Sequence, residues 1–228
     1  MNTETMEDVD RMLISILEAG LSPEGYSWLH TKGTALRDEE KAGPINRIFA
    51  QVPRFASKAL VGSAEVPVER IKEIMPGYDM RDWTLETLCR VWLLLQVPSG
   101  NKADYVAVID SLFIGAEVNE LLALYKSFPL LHYPEQWISR CEEGIRSNIG
   151  SVLEAIMYHN PYPAEYLSEA AWNQMILKAF FTEKDVTRIY GLKRRINPAL
   201  KATLADYVQE RLAAGRSVNP EIYKLMEV

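Results

Sequence analysis

Residues 84–96 read TLETLCRVWLLLQ, and this stretch decides the fold class. Its apolar residues cover nearly the whole circumference of a helix, which is typical of a helix buried on all sides. The run from Val91 to Val97 is far shorter than the ~20 apolar residues that a membrane span requires. We therefore expect a helix over 84–96 at the centre of a globular protein.

Prolines mark the starts of further helices on both sides of this stretch. Proline suits the first turn of a helix because its fixed φ matches that of a helix, and because an N–H at this position would have no acceptor within the helix. Prolines precede helix-like stretches at Pro23, Pro67, Pro134, Pro163, Pro198 and Pro220. Ser22, Asn197 and Asn219 each stand directly before a proline and can cap a helix. Sustained β-type alternation and Asn-Gly or Asp-Gly hairpin signals do not occur, so the sequence predicts an all-α protein.

These signals place helices along the whole chain. The predicted helices are 5–19, 23–31, 44–56, 67–74, 84–96, 102–114, 117–127, 134–159, 164–181, 198–214 and 220–226. No linker or low-complexity tract divides them, so we expect a single all-helical domain over 1–228. Two architectures fit: an irregular multi-helix bundle, or a short, degenerate stack of α-hairpins similar to an α-solenoid.

The composition is that of a core-forming protein and argues against several classes of function. Of the 228 residues, 48% are hydrophobic and 25% charged, which excludes a disordered chain. The net charge of −6 makes nucleic acid an unexpected partner, since binding it requires a basic surface. The acidic start MNTETMEDVDRM is unlike a secretory signal, so we expect a cytoplasmic protein. Cys89 and Cys141 lie in apolar helical patterns and are expected to be buried free thiols.

The predicted helix 134–159 places two polar side chains on an apolar face. On a helical wheel with Cys141 at zero, Asn148 and His159 fall within about 20° of it, among residues expected to face the core. Gly144 and Gly150 lower the stability of the same helix, and we expect either close helix packing or a binding site to account for their presence. Two interpretations stay open: Asn148 and His159 form a structural network, or they line a polar pocket inside the domain.

Polar residues continue in the connector at 159–166, HNPYPAEY, which carries an imidazole, an amide, two phenols and a carboxylate. This segment is either a plain turn or the edge of a site. In the next predicted helix, 164–181, the wheel places Asn173 on the buried side.

Three arginines, Arg188, Arg194 and Arg195, flank the turn before the predicted helix 198–214. They are either a solvated cluster or an anion clamp at the N-terminus of that helix, whose dipole favours negative charge.

No motif for a nucleotide, a metal ion or a catalytic triad is present, so no cofactor and no metal are expected. Glu154 and His159 lie five residues apart and on different helix faces, so we do not expect them to act as an acid–base pair. The residues alone therefore do not specify an enzymatic activity.

The two most distinctive segments resemble one known family. They are FPLLHYPEQWISRCEEGIRSNIGSVLEAIMYHNPYPAEYLSEAAWNQMILKAFF at 128–181 and GLKRRINPALKATLADYVQERLAAGRSVNPEIYKL at 191–225. This part of the chain closely resembles the EboA family of the bacterial ebo gene cluster. Weaker similarity extends to VPRFASK at 52–58 and to the helix after Trp83, whereas His132 and Lys193 depart from the family pattern.

The resemblance implies a metabolite-traffic protein with no established catalytic activity. Its expected partners are a small natural-product precursor and other proteins of the ebo cluster. The family motif highlights the following as ligand-binding candidates: Arg140, Arg146, Asn148, Glu154, His159, Asn160, Tyr162, Glu165, Asn173, Lys178, Arg194 and Arg195.

Three hypotheses follow. The first is a non-catalytic protein that binds a metabolite or hands it over, the second a helical adaptor that docks other pathway proteins. The third is an unrecognised enzyme that uses Glu154, Glu165 or His159, which requires one of them in a cleft with a shifted pKa.

Overall fold

The computed structural model describes residues 3–37, 45–61 and 65–227, and their regular structure is helical, which confirms the all-α prediction. The described α-helices are α1 Thr3–Gly20, α2 Pro23–Arg37, α3 Ile45–Gln51, α4 Glu65–Ile74, α5 Leu85–Leu95, α6 Lys102–Ser111, α7 Val118–Ser127, α8 Ile138–Arg146, α9 Gly150–Met157, α10 Tyr162–Tyr166, α11 Glu169–Phe181, α12 Pro198–Ala213 and α13 Pro220–Glu227. Short 3-10 turns lie at Val52–Arg54, Phe128–Leu130, Pro134–Trp137 and Val186–Arg188. Among the described helices, none has the length and apolar character that crossing a membrane demands.

Helix α5 lies at the centre, as its sequence predicts. It packs against α1, α2 and α7, and α7 packs in turn against α9. Every residue from Leu85 to Leu94 is buried, including Glu86 and Arg90, which form an ion pair of 2.7 Å one helical turn apart. The contacts of α5 and α7 join helices that are distant along the chain, as in an irregular bundle, and successive helices such as α8 and α9 also pack together.

Most predicted helix starts are confirmed, because local capping fixes them. The side-chain oxygens of Ser22, Asn197 and Asn219 accept hydrogen bonds from main-chain N–H groups at 3.1, 2.9 and 3.0 Å. These bonds satisfy donors that the first turn of each helix leaves free. The predicted helix 23–31 extends to Arg37, and 102–114 ends at Ser111. Of the predicted 44–56, residue 44 lies outside the described residues and the α-helix ends at Gln51, where a 3-10 turn follows.

The predicted helix 134–159 is wrong as a single element. It is a 3-10 turn followed by α8 and α9, with 147–149 non-helical between them. Lys178 Nζ donates to the carbonyl oxygens of Ile145 (2.6 Å) and Ser147 (2.7 Å), which satisfies acceptors at the end of α8. Asn148 is exposed in this break, so the prediction that it faces the core is wrong. His159 lies beyond the end of α9 rather than on a helical face.

The predicted helix 164–181 also divides, into α10 and α11. Leu167 is extended (φ −71°, ψ 143°), and the Ser168 hydroxyl caps α11 by accepting from the Ala171 N–H at 3.2 Å. The Arg195 guanidinium donates to the carbonyls of Pro163 (3.0 Å) and Leu167 (2.9 Å) and so completes the end of α10. At the ends of both α8 and α10, a cationic side chain distant in sequence donates to the main-chain carbonyls, and no local sequence pattern indicates this contact.

The buried apolar side chains form one continuous cluster to which α1 to α13 contribute. Cys89 and Cys141 are buried free thiols, as predicted, and burial raises the pKa of both, that of Cys89 to about 12. Gly144 permits a close helix contact, because a Cβ there would lie 2.5 Å from the side chains of Ile156 and Tyr125.

Candidate functional site

A cleft of about 340 Å³ lies where α7 and α9 meet the segment after α4 and the Val186–Arg188 turn. We refer to it as the His159 cleft, and it is lined by Asp79, Asp82, Trp83, Leu122, Lys126, Ser151, Glu154, Ala155, Tyr158, His159 and Arg188. Its size falls within the range of roughly 300–1,000 Å³ that small-molecule sites occupy.

The backbone of His159 is held in a left-handed conformation, with φ 51°. Its N–H donates to the carbonyl of Arg188 at 3.0 Å, and its carbonyl accepts from the N–H of Asp79 at 3.3 Å. Residues other than glycine rarely adopt this conformation, which persists where the surrounding structure fixes it. His159 thereby ties together two walls of the cleft.

Arg188 orders the imidazole at this point. Its Nε donates to His159 Nε2 at 3.0 Å, its Nη2 pairs with Asp82, and its guanidinium lies 4.4 Å from the ring centre of Tyr158. Burial, together with the positive charge of Arg188, lowers the pKa of His159. The imidazole is therefore neutral near pH 7 and accepts on Nε2.

Lys126 brings a second cation to the cleft from the last turn of α7. Its Nζ lies 5.3 Å from the ring centre of Trp83 and forms no ion pair with any residue that the structure describes. Burial lowers the pKa of Lys126 to about 8.

The carboxylates of the cleft have other cationic partners. They pair as Asp79 with Arg81, Asp82 with Arg188, and Glu154 with Lys184. Burial alone would raise the pKa of Asp79, but hydrogen bonds from Arg81 outweigh it, and the pKa falls to about 2. Lys126 forms no salt bridge within the described part of the chain, although the nearby charges of Asp82 and Glu154 favour its protonated form.

A second cleft, of about 630 Å³, lies on the other side of His159 and Arg188, which line both. We refer to it as the Tyr190 cleft. Gly77 belongs to its wall, where φ is 87° and a Cβ would lie 2.0 Å from the Tyr190 ring, so only glycine fits. Arg194 and Glu221 lie at this cleft as well.

The structure brings few of the sequence-predicted site residues together. Glu154 and His159 line the His159 cleft, while His159 and Arg194 line the Tyr190 cleft. Arg146 and Asn148 are exposed at the end of α8. A ligand-binding role for the predicted residues outside the two clefts stays a prediction.

Two of the predicted residues are buried anchors of the connector. Asn160 donates from Nδ2 to the carbonyls of Tyr125 and Ala155, both at 3.1 Å, and its Oδ1 accepts from the N–H of Tyr162 at 3.0 Å. The Tyr162 hydroxyl donates to the carbonyl of Pro134 at 2.6 Å. These contacts favour the structural interpretation of the connector for Asn160 and Tyr162.

The remaining predicted residues form hydrogen bonds or ion pairs with other side chains or with the main chain. Asn173 exchanges two amide hydrogen bonds with Asn197, of 3.1 and 2.9 Å. Arg140 pairs with Asp110 at 2.7 Å, and Arg194 pairs with Glu165. Lys178 and Arg195 supply donors to the carbonyl ends of α8 and α10.

The three arginines do not form the anion clamp that one interpretation placed at α12. Arg188, Arg194 and Arg195 point to three different partners, and the Asn197 side chain caps the helix N-terminus. Asn197 therefore occupies the position that an anion would take.

Sequence reasoning missed Lys126, Asp79 and Asp82. A signal for Lys126 was available, since it lies one turn after Leu122 on a largely apolar helix. Asp79 and Asp82 stand between Tyr78 and Trp83, a dense acidic and aromatic stretch. Only the tertiary structure shows that these residues share a cleft with His159.

The chemistry available in the His159 cleft is ionic and acid–base. In the described residues, no three His, Cys, Asp or Glu side chains lie close enough together to hold a metal ion. His159 has the cleft position and shifted pKa that an acid–base role requires, whereas Glu154 and Glu165 are engaged in ion pairs.

Comparison with known proteins identifies the family. No curated protein and no solved structure matches the chain. The family model described as metabolite traffic protein EboA matches residues 9–227, which is nearly the whole chain and extends the resemblance beyond the segments that first indicated it. The chain therefore belongs to the EboA family of metabolite traffic proteins.

Proposed function

We propose that this chain binds a small anionic metabolite in the His159 cleft and hands it to another protein of the same pathway. The observation that carries the proposal is the charge of Lys126, which lines a cleft whose carboxylates already have other cationic partners. A cation that has no direct ion-pair partner, in a concave and partly desolvated site, attracts an anion.

Arg188 supports the same choice of ligand. Its side chain is 32% exposed, and its contacts with His159 and Asp82 leave part of the guanidinium accessible. A guanidinium presents five N–H donors in a planar fork that matches a carboxylate or a phosphate. Lys126 and Arg188 therefore both present nitrogen donors to a metabolite in this cleft, and the guanidinium of Arg188 suits its anionic group.

The family supports a carrier role. Members are described as metabolite traffic proteins, and a carrier must hold its ligand firmly without altering it. A cleft of about 340 Å³ fits a small molecule or the head of a larger one. The Tyr190 cleft, beyond His159, offers room for the rest of a longer metabolite.

A thermal-shift screen tests the proposal. The purified chain is screened against phosphorylated, carboxylated, aromatic and prenylated metabolites. A ligand at about 100 times its Kd adds ~2.7 kcal/mol of stability, which raises the melting temperature clearly. We expect stabilising compounds to carry a carboxylate or phosphate.

Matched variants locate the ligand. Lys126→Met and Arg188→Gln should each abolish the stabilisation, whereas Lys102→Met should retain it. Lys102 is a suitable control because it also lies over an aromatic ring, 5.6 Å from that of Tyr133, but on the exposed N-terminal turn of α6. Stabilisation that survives both cleft variants and is lost in Asn173→Leu would instead support the site predicted from the sequence.

A further inference from the structure

We propose that Lys126 holds its ligand covalently, as a reversible imine with an aldehyde or ketone that also carries a carboxylate or phosphate. This inference rests on the proposed function, because it names the class of anionic metabolite that the His159 cleft would take. The amine supplies the covalent bond, and Arg188 supplies the contact to the anionic group.

Three contacts position the Lys126 side chain, one to its main chain and two that involve aromatic rings. The Tyr78 hydroxyl donates to the carbonyl of Lys126 at 2.7 Å, and the Tyr78 ring meets that of Trp83 edge-on at 5.5 Å. Nζ of Lys126 then lies 5.3 Å from the centre of the Trp83 ring. The residue is therefore anchored at its backbone while its amine stays in the cleft.

Other partly buried lysines are held differently. Lys178 donates to two carbonyl oxygens, and Lys184 pairs with Glu154. Lys126 has neither kind of partner among the described residues, so its nitrogen is not committed to a structural hydrogen bond. A free amine at a desolvated position is the form that attacks a carbonyl carbon.

The protonation state agrees with this chemistry. Burial lowers the pKa of Lys126 to about 8, so a useful fraction of the side chain is neutral near physiological pH. An exposed lysine, with a pKa near 10.4, is almost entirely protonated there.

The reaction balances without an oxidant or reductant. The lone pair of Nζ forms a bond to the carbonyl carbon, and one of the two amine protons is transferred to the carbonyl oxygen to give a carbinolamine. The hydroxyl then takes up a second proton, the C–O bond breaks and water leaves. Nitrogen gives up its last proton as the C=N bond forms, so the two amine protons account for the water. Hydrolysis reverses each step and releases the carbonyl compound unchanged, as a carrier requires.

Reductive trapping with glyoxylate tests the inference on the full chain. Glyoxylate is a small aldehyde with a carboxylate, and cyanoborohydride converts its imine into a stable carboxymethyl group that peptide mass mapping locates. We expect Lys126 to be labelled about tenfold or more faster than the exposed Lys102 and Lys193, because its amine fraction at neutral pH is larger. The labelling rate at Lys126 should reach half its maximum near pH 8.

Controls separate the covalent step from anion binding. Neutral glycolaldehyde should label Lys126 more slowly than glyoxylate, and Arg188→Gln should remove that difference. Glycolate has the carboxylate but no aldehyde, and it should protect Lys126 by competition. Equal labelling of Lys126 and Lys102 would overturn the imine. If calorimetry still shows glycolate binding in that case, the proposed function stands without the covalent bond. If labelling is equal and glycolate does not bind, both the imine and the proposed function are wrong.

Discussion

His159 and Arg188 hold each other by two hydrogen bonds across 29 residues of chain. The main-chain N–H of His159 donates to the Arg188 carbonyl, and Arg188 Nε donates to His159 Nε2, both at 3.0 Å. The first bond helps to fix the left-handed backbone of His159, and the second favours its neutral imidazole. The wall between the two clefts therefore depends on the protonation state of one side chain.

We predict that stability falls more steeply below pH 6.5 in the wild type than in His159→Gln. A histidine in the unfolded chain binds a proton near pH 6.5, whereas burial and Arg188 lower the pKa of His159 in the folded chain. Between these two values the unfolded state binds more protons, so stability is lost as the pH falls. Urea unfolding between about pH 7.5 and 5.5 measures the slopes, and identical slopes would contradict the assignment.

Lys126→Met should stabilise the fold at neutral pH by about 1–2 kcal/mol. The pKa of Lys126 falls from 10.5 to about 8 on folding, so its charge opposes folding. Partial exposure of the side chain and loss of its contact with Trp83 make the gain smaller than the full pKa change would give. The folded chain loses this proton near pH 8 and the unfolded chain near 10.5, so the wild type gains stability over that interval. The difference from Lys126→Met should therefore shrink in alkaline buffer, and a constant difference would contradict the prediction.

Asn160→Leu should destabilise the chain by about 3 kcal/mol. It removes the donors to the buried carbonyls of Tyr125 and Ala155 and the acceptor for the Tyr162 N–H. Asn148→Ala, at an exposed position of the same predicted polar group, should change stability by less than about 0.5 kcal/mol. Chemical denaturation compares the two, and equal losses would show that burial does not distinguish them.

Arg195→Met should cost about 2 kcal/mol, whereas Arg194→Met should cost less than about 0.5 kcal/mol. Arg195 binds main-chain carbonyls at the end of α10 and lies 4.8 Å from the ring centre of Trp172. Arg194 pairs with Glu165 at the surface, with side chains 54% and 47% exposed. Hydrogen exchange should show faster opening of α10 in the Arg195 variant alone.

Gly144→Ala should destabilise the fold by about 1–3 kcal/mol through overpacking. The added methyl would lie 2.5 Å from both Ile156 and Tyr125. Gly100→Ala is the matched control, since a Cβ there meets no atom within 4 Å. Thermal melts of the two variants give the comparison, and equal melting temperatures would refute close packing at Gly144.

Local sequence signals were sufficient to predict the helical class, the central helix and most helix starts. Apolar residues cover most of the circumference of Leu85–Leu94, and its buried Glu86 and Arg90 pair with each other, so the helix is buried on every side. Asn197 caps α12, as its place before Pro198 predicts. These features depend on residues within a turn or two of one another. A single sequence therefore contains the information that fixes them.

Contacts between distant parts of the chain complete the breaks in the long predicted helices and determine which residues share a cleft, although Ser168 also marks one break locally by capping α11. Lys178 and Arg195 donate to main-chain carbonyl oxygens 28 to 33 residues away. The helical periodicity of 134–181 therefore does not indicate these contacts. Lys126, Glu154 and Arg188 meet only because α7, α9 and the Val186–Arg188 turn pack together. Helical periodicity reports which side of one element is apolar, whereas a site depends on which elements pack side by side.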